Sequence, residues 1–181
     1  MRIIHTSDWH LGQHFFGKSR AVEHKKFLHW LIEQVLANDV AAIIVAGDIF
    51  DTGNPPSYAR ELYFDFVSDL HKQAPFCQLV ILAGNHDSTA MIGESKQLLG
   101  KFSTYVIPSV SDDIDAQLVE LSDQNNNKAI VCAVPFIRPR DVLKSSAGQS
   151  AQQKQQQLQQ AITAHYQALY QQAELLAQDK Y

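Results

Sequence analysis

Ala41-Ala42-Ile43-Ile44-Val45-Ala46-Gly47-Asp48 decides how this chain is read. An unbroken apolar run, β-branched at its centre, passes straight into a glycine and a carboxylate. A short apolar run without alternation marks a strand buried on both faces, as in a parallel sheet. Two further stretches follow the same plan. Arg2-Ile3-Ile4-His5-Thr6 leads to Asp8-Trp9-His10, and Leu79-Val80-Ile81-Leu82-Ala83 leads to Gly84-Asn85-His86-Asp87. Between the runs the spacing turns helical. Residues 20–37 carry Phe27, Leu28, Leu31, Ile32, Val35 and Leu36 on one face, and residues 57–72 carry Ala59, Leu62, Tyr63, Phe66, Val67 and Leu70. Strand, helix, strand, helix, strand predicts a parallel sheet covered on both faces, its helices laid on by right-handed crossovers. Ligands in such sheets bind beyond the carboxyl ends of the strands. All three polar motifs fall there.

The residue types at those ends suit a divalent metal. Asp8 and His10 are two apart, which on an extended segment puts both side chains on one face. A carboxylate and an imidazole then grip one cation. Asp48 offers two carboxylate oxygens and so can bridge two ions, and Asn85 offers a neutral amide oxygen. Oxygen and nitrogen donors without thiolate suit Mn²⁺, Fe²⁺, Mg²⁺ or Zn²⁺. Two ions about 3.5–4 Å apart serve phosphoryl transfer by holding both attacking and leaving oxygens. His86 is the residue expected to face substrate, donating a proton to the leaving oxygen or holding a phosphate oxygen. Asp87 is expected to orient it in the carboxylate–histidine manner. Gly47 and Gly84 let the backbone turn close beside the ions. Taken singly, each motif also reads as an ordinary turn. Their joint occurrence after three successive strands argues for a metal site.

Downstream, residues 88–100 predict a short helix through Met91, Leu98 and Leu99, and Thr104–Pro108 a short strand. Gln117–Leu121 and Ala129–Val134 flank a polar stretch and predict an antiparallel pair in a second sheet. Pro135 and Pro139 mark an irregular connection. Residues 151–178 are rich in glutamine and alanine. Leu158, Ile162, Tyr166, Leu169 and Leu176 keep helical spacing there, which predicts one long helix, polar over most of its surface. His5 reads as a packed strand residue. His14, His24, His29, His71 and His165 read as surface or helix-face residues, Trp9 as a core anchor for its loop and Trp30 as a helix packing residue. Arg138 and Arg140 read as solvated, with a phosphate contact as the alternative. Cys77 and Cys132 read as two buried free thiols.

The chain has 181 residues, 45 % of them apolar, and a net charge of −4. That length fits one domain, residues 1–181. The negative charge argues mildly against nucleic acid, whose binders carry a basic face, although bound cations reverse a local field. No apolar run approaches the ~20 residues of a membrane span, and polar residues interrupt the opening segment where a leader would be apolar. A cytoplasmic protein is the expectation.

Asp8-x-His10, Gly47-Asp48 and Gly84-Asn85-His86-Asp87 resemble the first three signatures of the calcineurin-like metallophosphoesterases. Longer stretches, His5 to Gly12, Ala46 to Asp51, Ala83 to Ser88 and Pro135 to Asp141, are similar to the bacterial DNA-nuclease branch of that family. The resemblance implies an α/β fold, a sandwich of two mixed β-sheets flanked by helices. It implies a two-metal phosphodiesterase, usually supported by Mn²⁺, that cuts DNA as an exonuclease and endonuclease in repair, recombination and replication. An ATPase partner and a homodimer are implied as well. By the same resemblance Asp8, His10, Asp48 and Asn85 are metal ligands, Asp48 bridging, and His86 is the catalytic histidine. Asp51 stands where some relatives place a histidine. The family completes its metal shell with later Gly-His and Gly-His-x-His motifs. Neither occurs here, and the last histidine is His165. The chain therefore reads as the N-terminal portion of a longer phosphodiesterase domain, incomplete at its C-terminus, binding ions weakly and inactive alone. A phosphoesterase acting on other esters, and a non-catalytic assembly module, are the competing readings.

Overall fold

Parallel pairing gathers the apolar runs in the order of the chain. The computed structural model describes residues 1–143 and 150–180. Its elements are β1 (Ile3–Thr6), the short arms β2 (His14–Phe15) and β3 (Lys18–Ser19), α1 (Ala21–Ala37), β4 (Ala42–Ala46), α2 (Ser57–Gln73), β5 (Gln78–Leu82), α3 (Thr89–Glu94), α4 (Lys96–Leu99), β6 (Thr104–Ile107), β7 (Leu118–Ser122), β8 (Lys128–Cys132), α5 (Pro139–Val142) and α6 (Ala151–Lys180). The main sheet has the order β1-β4-β5-β6, parallel throughout. Thr6 lies opposite Val45, Ala46 opposite Leu82, and Leu82 opposite Ile107, so the carboxyl ends share one edge.

Side chains alternate across this sheet with period two. Ile43, Val45, Leu79, Ile81 and Val106 face a core shared with Leu28, Leu31 and Val35 of α1 and Tyr63, Phe66 and Leu70 of α2. Ala42, Val80, Leu82 and Ile107 face the opposite way, toward Val119, Leu121 and Ala133. The predicted helices and strands of the main sheet are present, and α1 and α2 lie together on one of its faces. Right-handed crossovers that step in one direction along a sheet place their helices on the same side. The second face is covered by the antiparallel pair β7-β8. The result is the expected α/β sandwich, one sheet parallel and the other antiparallel, flanked by helices.

Several local expectations change. Residues 14–19 are not plain loop but a small hairpin, β2 paired with β3. Residues 88–100 form α3 and α4 in place of one helix, broken around Gly93 and Ser95. His5 is exposed rather than packed, because β1 pairs on one side only and Ile3 beside it is also exposed. His24 is buried within α1 rather than on its surface. The long helix α6 forms as expected and starts with a reciprocal cap. Ser150 Oγ accepts from the Gln153 amide at 3.2 Å, and the Ser150 amide donates to Gln153 Oε1 at 2.9 Å. Leu169 anchors α6 and is fully buried, and His165 meets Gln117 at 3.0 Å. Cys77 is buried, and that burial pushes its thiol up to about 12, while Cys132 is half-buried. Among the described residues no helix is long and apolar enough to cross a membrane.

Candidate metal centre

The loops leaving β1 and β4 stay zipped together beyond the strands. The Asp8 amide donates to Gly47 O at 3.1 Å, His10 to Asp48 O at 3.0 Å and Leu11 to Ile49 O at 2.9 Å. The Asp51 amide then returns to Leu11 O at 3.1 Å. These loops are not extended. Asp8, His10 and Asp48 have φ of 57°, 47° and 49°, and Gly47 has 91°. The expectation that Asp8 and His10 converge by strand alternation is therefore corrected. Left-handed bends bring them together, a conformation L-residues adopt at a cost and one that clusters at functional sites.

The convergence itself is clear. One ligand atom from each of Asp8, His10 and Asp48 lies within 4.8 Å of the others, and His10 Nε2 is 3.8 Å from Asp8 Oδ1. Among the described residues this is the one group of three such donors. Two carboxylates and an imidazole fit a hard or borderline divalent cation. Asn85 lines the same cleft as Asp8 and Asp48, bordered by Phe136 and by Tyr166 from α6. Gly84 is required by space, since a Cβ there would collide with the Asp48 backbone nitrogen and carboxylate.

His86 is exposed beside this group. Its amide donates to Asp48 Oδ1 at 3.0 Å, and its ring stands edge-on to His10 with centroids 5.0 Å apart. Nδ1–H donates to the Asp51 carbonyl at 2.8 Å, which leaves Nε2 facing outward. That backbone hydrogen bond raises the His86 pKa, with Asp48, Asp51 and Asp87 adding to it against partial desolvation.

Asp87 is placed differently from expectation. Its carboxylate accepts from the amides of Gly84 at 2.8 Å, Phe50 at 3.0 Å and Ile49 at 3.2 Å. It is buried, and burial raises its pKa against the pull of those three donors. The expected orienting bond from Asp87 to the His86 ring is taken over by the Asp51 carbonyl. Asp87 instead ties the turn after β5 to the loop after β4.

Two residues named from the sequence take places at the site that the sequence did not assign them. Asp51 Oδ1 lies 3.3 Å from His10 Nδ1, a carboxylate behind the imidazole that does not reach hydrogen-bond geometry. Arg138, expected in solvent, is half-buried. Its Nη2 donates to Asp87 O at 3.1 Å and Gly84 O at 3.4 Å, bracketing Asn85 and His86. The position of Asp51 three residues after Asp48 was a usable signal, and Arg138 lies in the stretch Pro135 to Asp141 that the sequence already singled out. Arg140 is exposed as expected. Trp9 anchors its loop, packing edge-on against Phe27 and Phe66 while its indole donates to Thr6 Oγ1 at 3.0 Å.

Such a donor cluster at the carboxyl edge of a sandwich is an arrangement suited to a divalent cation. The chain belongs to the calcineurin-like phosphoesterase family, whose model matches residues 1–169. It is 49 % identical over 180 residues to the SbcD component of the SbcCD nuclease of Escherichia coli K12, a match that covers 99 % of this chain and 44 % of that protein. SbcD of Rhodobacter capsulatus is 37 % identical over 148 residues, covering 78 % of this chain and 36 % of the relative. SbcD of Bacillus subtilis is 37 % identical over 107 residues, covering 59 % and 27 % respectively. The chain spans under half the length of these curated relatives.

Proposed function

We propose that this chain is the metal-binding N-terminal portion of a DNA phosphodiesterase. The observation that carries this reading is the convergence of Asp8, His10 and Asp48, with His86 held beside them. Likeness to the SbcD component of the SbcCD nuclease over nearly the whole chain supports DNA as substrate and an SbcC-type ATPase as partner. A cytoplasmic homodimer is part of the same reading.

Asp8, His10 and Asp48 would hold the divalent metal, with Asn85 contributing its amide oxygen. Divalent ions at this position, Mn²⁺ foremost, would supply charge neutralisation at the phosphate and a nucleophilic water near neutral pH. The protein's own groups do the rest. His86, its Nδ1–H committed to the Asp51 carbonyl, presents Nε2 outward, where a protonated ring would give a proton to the leaving oxygen. Asp48 Oδ1 fixes the His86 backbone, the Asp51 carbonyl holds the His86 ring, and Asp87 with Arg138 locks the turn that carries Asn85 and His86.

Release of nucleotides from duplex DNA with Mn²⁺ by a form extended to the relatives' length tests the reading. His86→Gln in that form is expected to lower release by about 10²–10⁴-fold while leaving Mn²⁺ binding by calorimetry intact. Near-native release by the variant removes His86 from the mechanism. The net charge of −4 favours a second reading, hydrolysis of small phosphate esters. Activity on such esters with none on DNA would establish it.

A further inference from the structure

The hairpin β2–β3 carries a feature that neither the metal cluster nor the core explains. Phe15 is 66 % exposed and Phe16 91 % exposed, and their rings pack edge-on with centroids 4.6 Å apart. Phe16 and Gly17 form the tip, with φ of 48° and 75°. Two positive φ values in a two-residue tip define a turn that favours asparagine, aspartate or glycine. A bulky residue in that region is strained. Phe16 thus stands against both solvent and backbone preference, and strain of that kind marks functional positions.

The hairpin is braced as well as exposed. The Gln13 amide donates to His10 O at 3.0 Å, and the Arg20 amide to Gln13 O at 3.1 Å. Tyr58 at the start of α2 ties both arms, its hydroxyl donating to Gly12 O at 3.2 Å and accepting from Ser19 Oγ at 3.1 Å. Gln13 Nε2 also reaches Asp51 Oδ1 at 3.4 Å, linking the hairpin base to the metal loops. Residues 11–22 hold Lys18 and Arg20 and no carboxylate, in a chain of net charge −4. Chain length from His10 limits Phe15 to about 18 Å away, or about five base-pair steps along a strand.

We propose that Phe15 and Phe16 form a stacking platform for an unpaired base at a DNA end whose phosphates enter the metal cleft, with Lys18 on the backbone beside it. The inference rests on the DNA phosphodiesterase reading and deepens it. Aromatic faces accept any base, and a cation beside them tracks the phosphates. A pre-braced hairpin presents the rings without an ordering cost.

The test is binding of the whole chain, in chelator, to a duplex with a short single-stranded overhang carrying 2-aminopurine. Stacking on Phe15 and Phe16 is expected to quench the probe. Joint Phe15→Ala and Phe16→Ala is expected to weaken binding about tenfold or more and restore fluorescence. Joint Phe15→Tyr and Phe16→Tyr retains both, and Lys18→Ala lowers the salt dependence by about one unit of slope. Unchanged affinity and quenching in the alanine variant overturn the platform while leaving the nuclease reading in place. Equal performance by leucine at both positions overturns stacking. A change of oligomeric state with unchanged DNA affinity assigns the rings to a second copy and overturns the proposal. Absence of DNA binding by the native chain overturns the platform, while the nuclease reading stands or falls on nucleotide release by the extended form.

Discussion

Ile81 and Asp87 lie on one continuous run of chain, both buried, and burial does opposite things to them. Within β5, Ile81 is 1 % exposed and fills space between the sheet and the helices, where loss of contact with water is favourable. Past the strand end, Asp87 is 3 % exposed and its charge is tolerated only because three backbone amides converge on it. The same contrast separates β4 from its loop. Strand residues sit in ordinary extended conformation, whereas Asp8, His10 and Asp48 hold left-handed φ. The strand interiors supply stability, and the loops beyond them use it to hold polar groups in place.

Predictions sharpen this division. The largest expected effect is on rate alone. In a form extended to the relatives' length, His86→Gln is expected to lower phosphodiesterase activity by about 10²–10⁴-fold with an unchanged melting temperature, since His86 is exposed. A large drop in melting temperature would break the division. Ile81→Ala should do the reverse, costing about 2–5 kcal/mol of stability by denaturant titration while Mn²⁺ affinity of the folded protein is kept. Gly84→Ala joins the two regions, because its Cβ meets Asp48 directly. It is expected to cost about 3 kcal/mol, the upper end for overpacking, and to weaken Mn²⁺ binding in calorimetry.

Asp87→Asn should cost about 1.5–3 kcal/mol, the value of hydrogen bonds to a charged group, while Mn²⁺ affinity falls less than in Asp48→Asn. The smallest effect is a slope with pH. Burial lowers the His24 pKa, with Arg20 and His10 adding and Glu23 and Asp51 opposing. Above pH 6.5, the unperturbed value, His24 is neutral folded and unfolded and costs nothing. Below it the unfolded chain takes up the proton first, so stability falls as pH drops through the depressed folded pKa. His24→Gln should flatten unfolding free energy between about pH 7 and pH 5. An unchanged slope would separate His24 from that pH dependence.

Much of this was legible in the residue order alone. Three apolar runs ending in carboxylate, imidazole and amide groups pointed to strands, to their shared edge and to Asp8, His10 and Asp48 as donors. The placement of Asp87 was not legible, because its partners Ile49 and Phe50 are 38 and 37 residues away. Nor was Arg138, whose carbonyl partners are 54 and 51 residues upstream. A Gly-Asn-His-Asp string reports that a turn is present, not which backbone amides its carboxylate meets.

The sequence by itself determined the alternation of strands and helices, the apolar faces and the donor types at the strand ends. Those follow from periodicity and side-chain chemistry, which act over a few residues. Tertiary structure alone decided that both long helices share one face, that left-handed bends gather the ligands, and that Asp51 rather than Asp87 contacts the His86 ring. Each of these depends on segments far apart in the chain being held at fixed distances, and only the packed sheet and its crossovers set those distances.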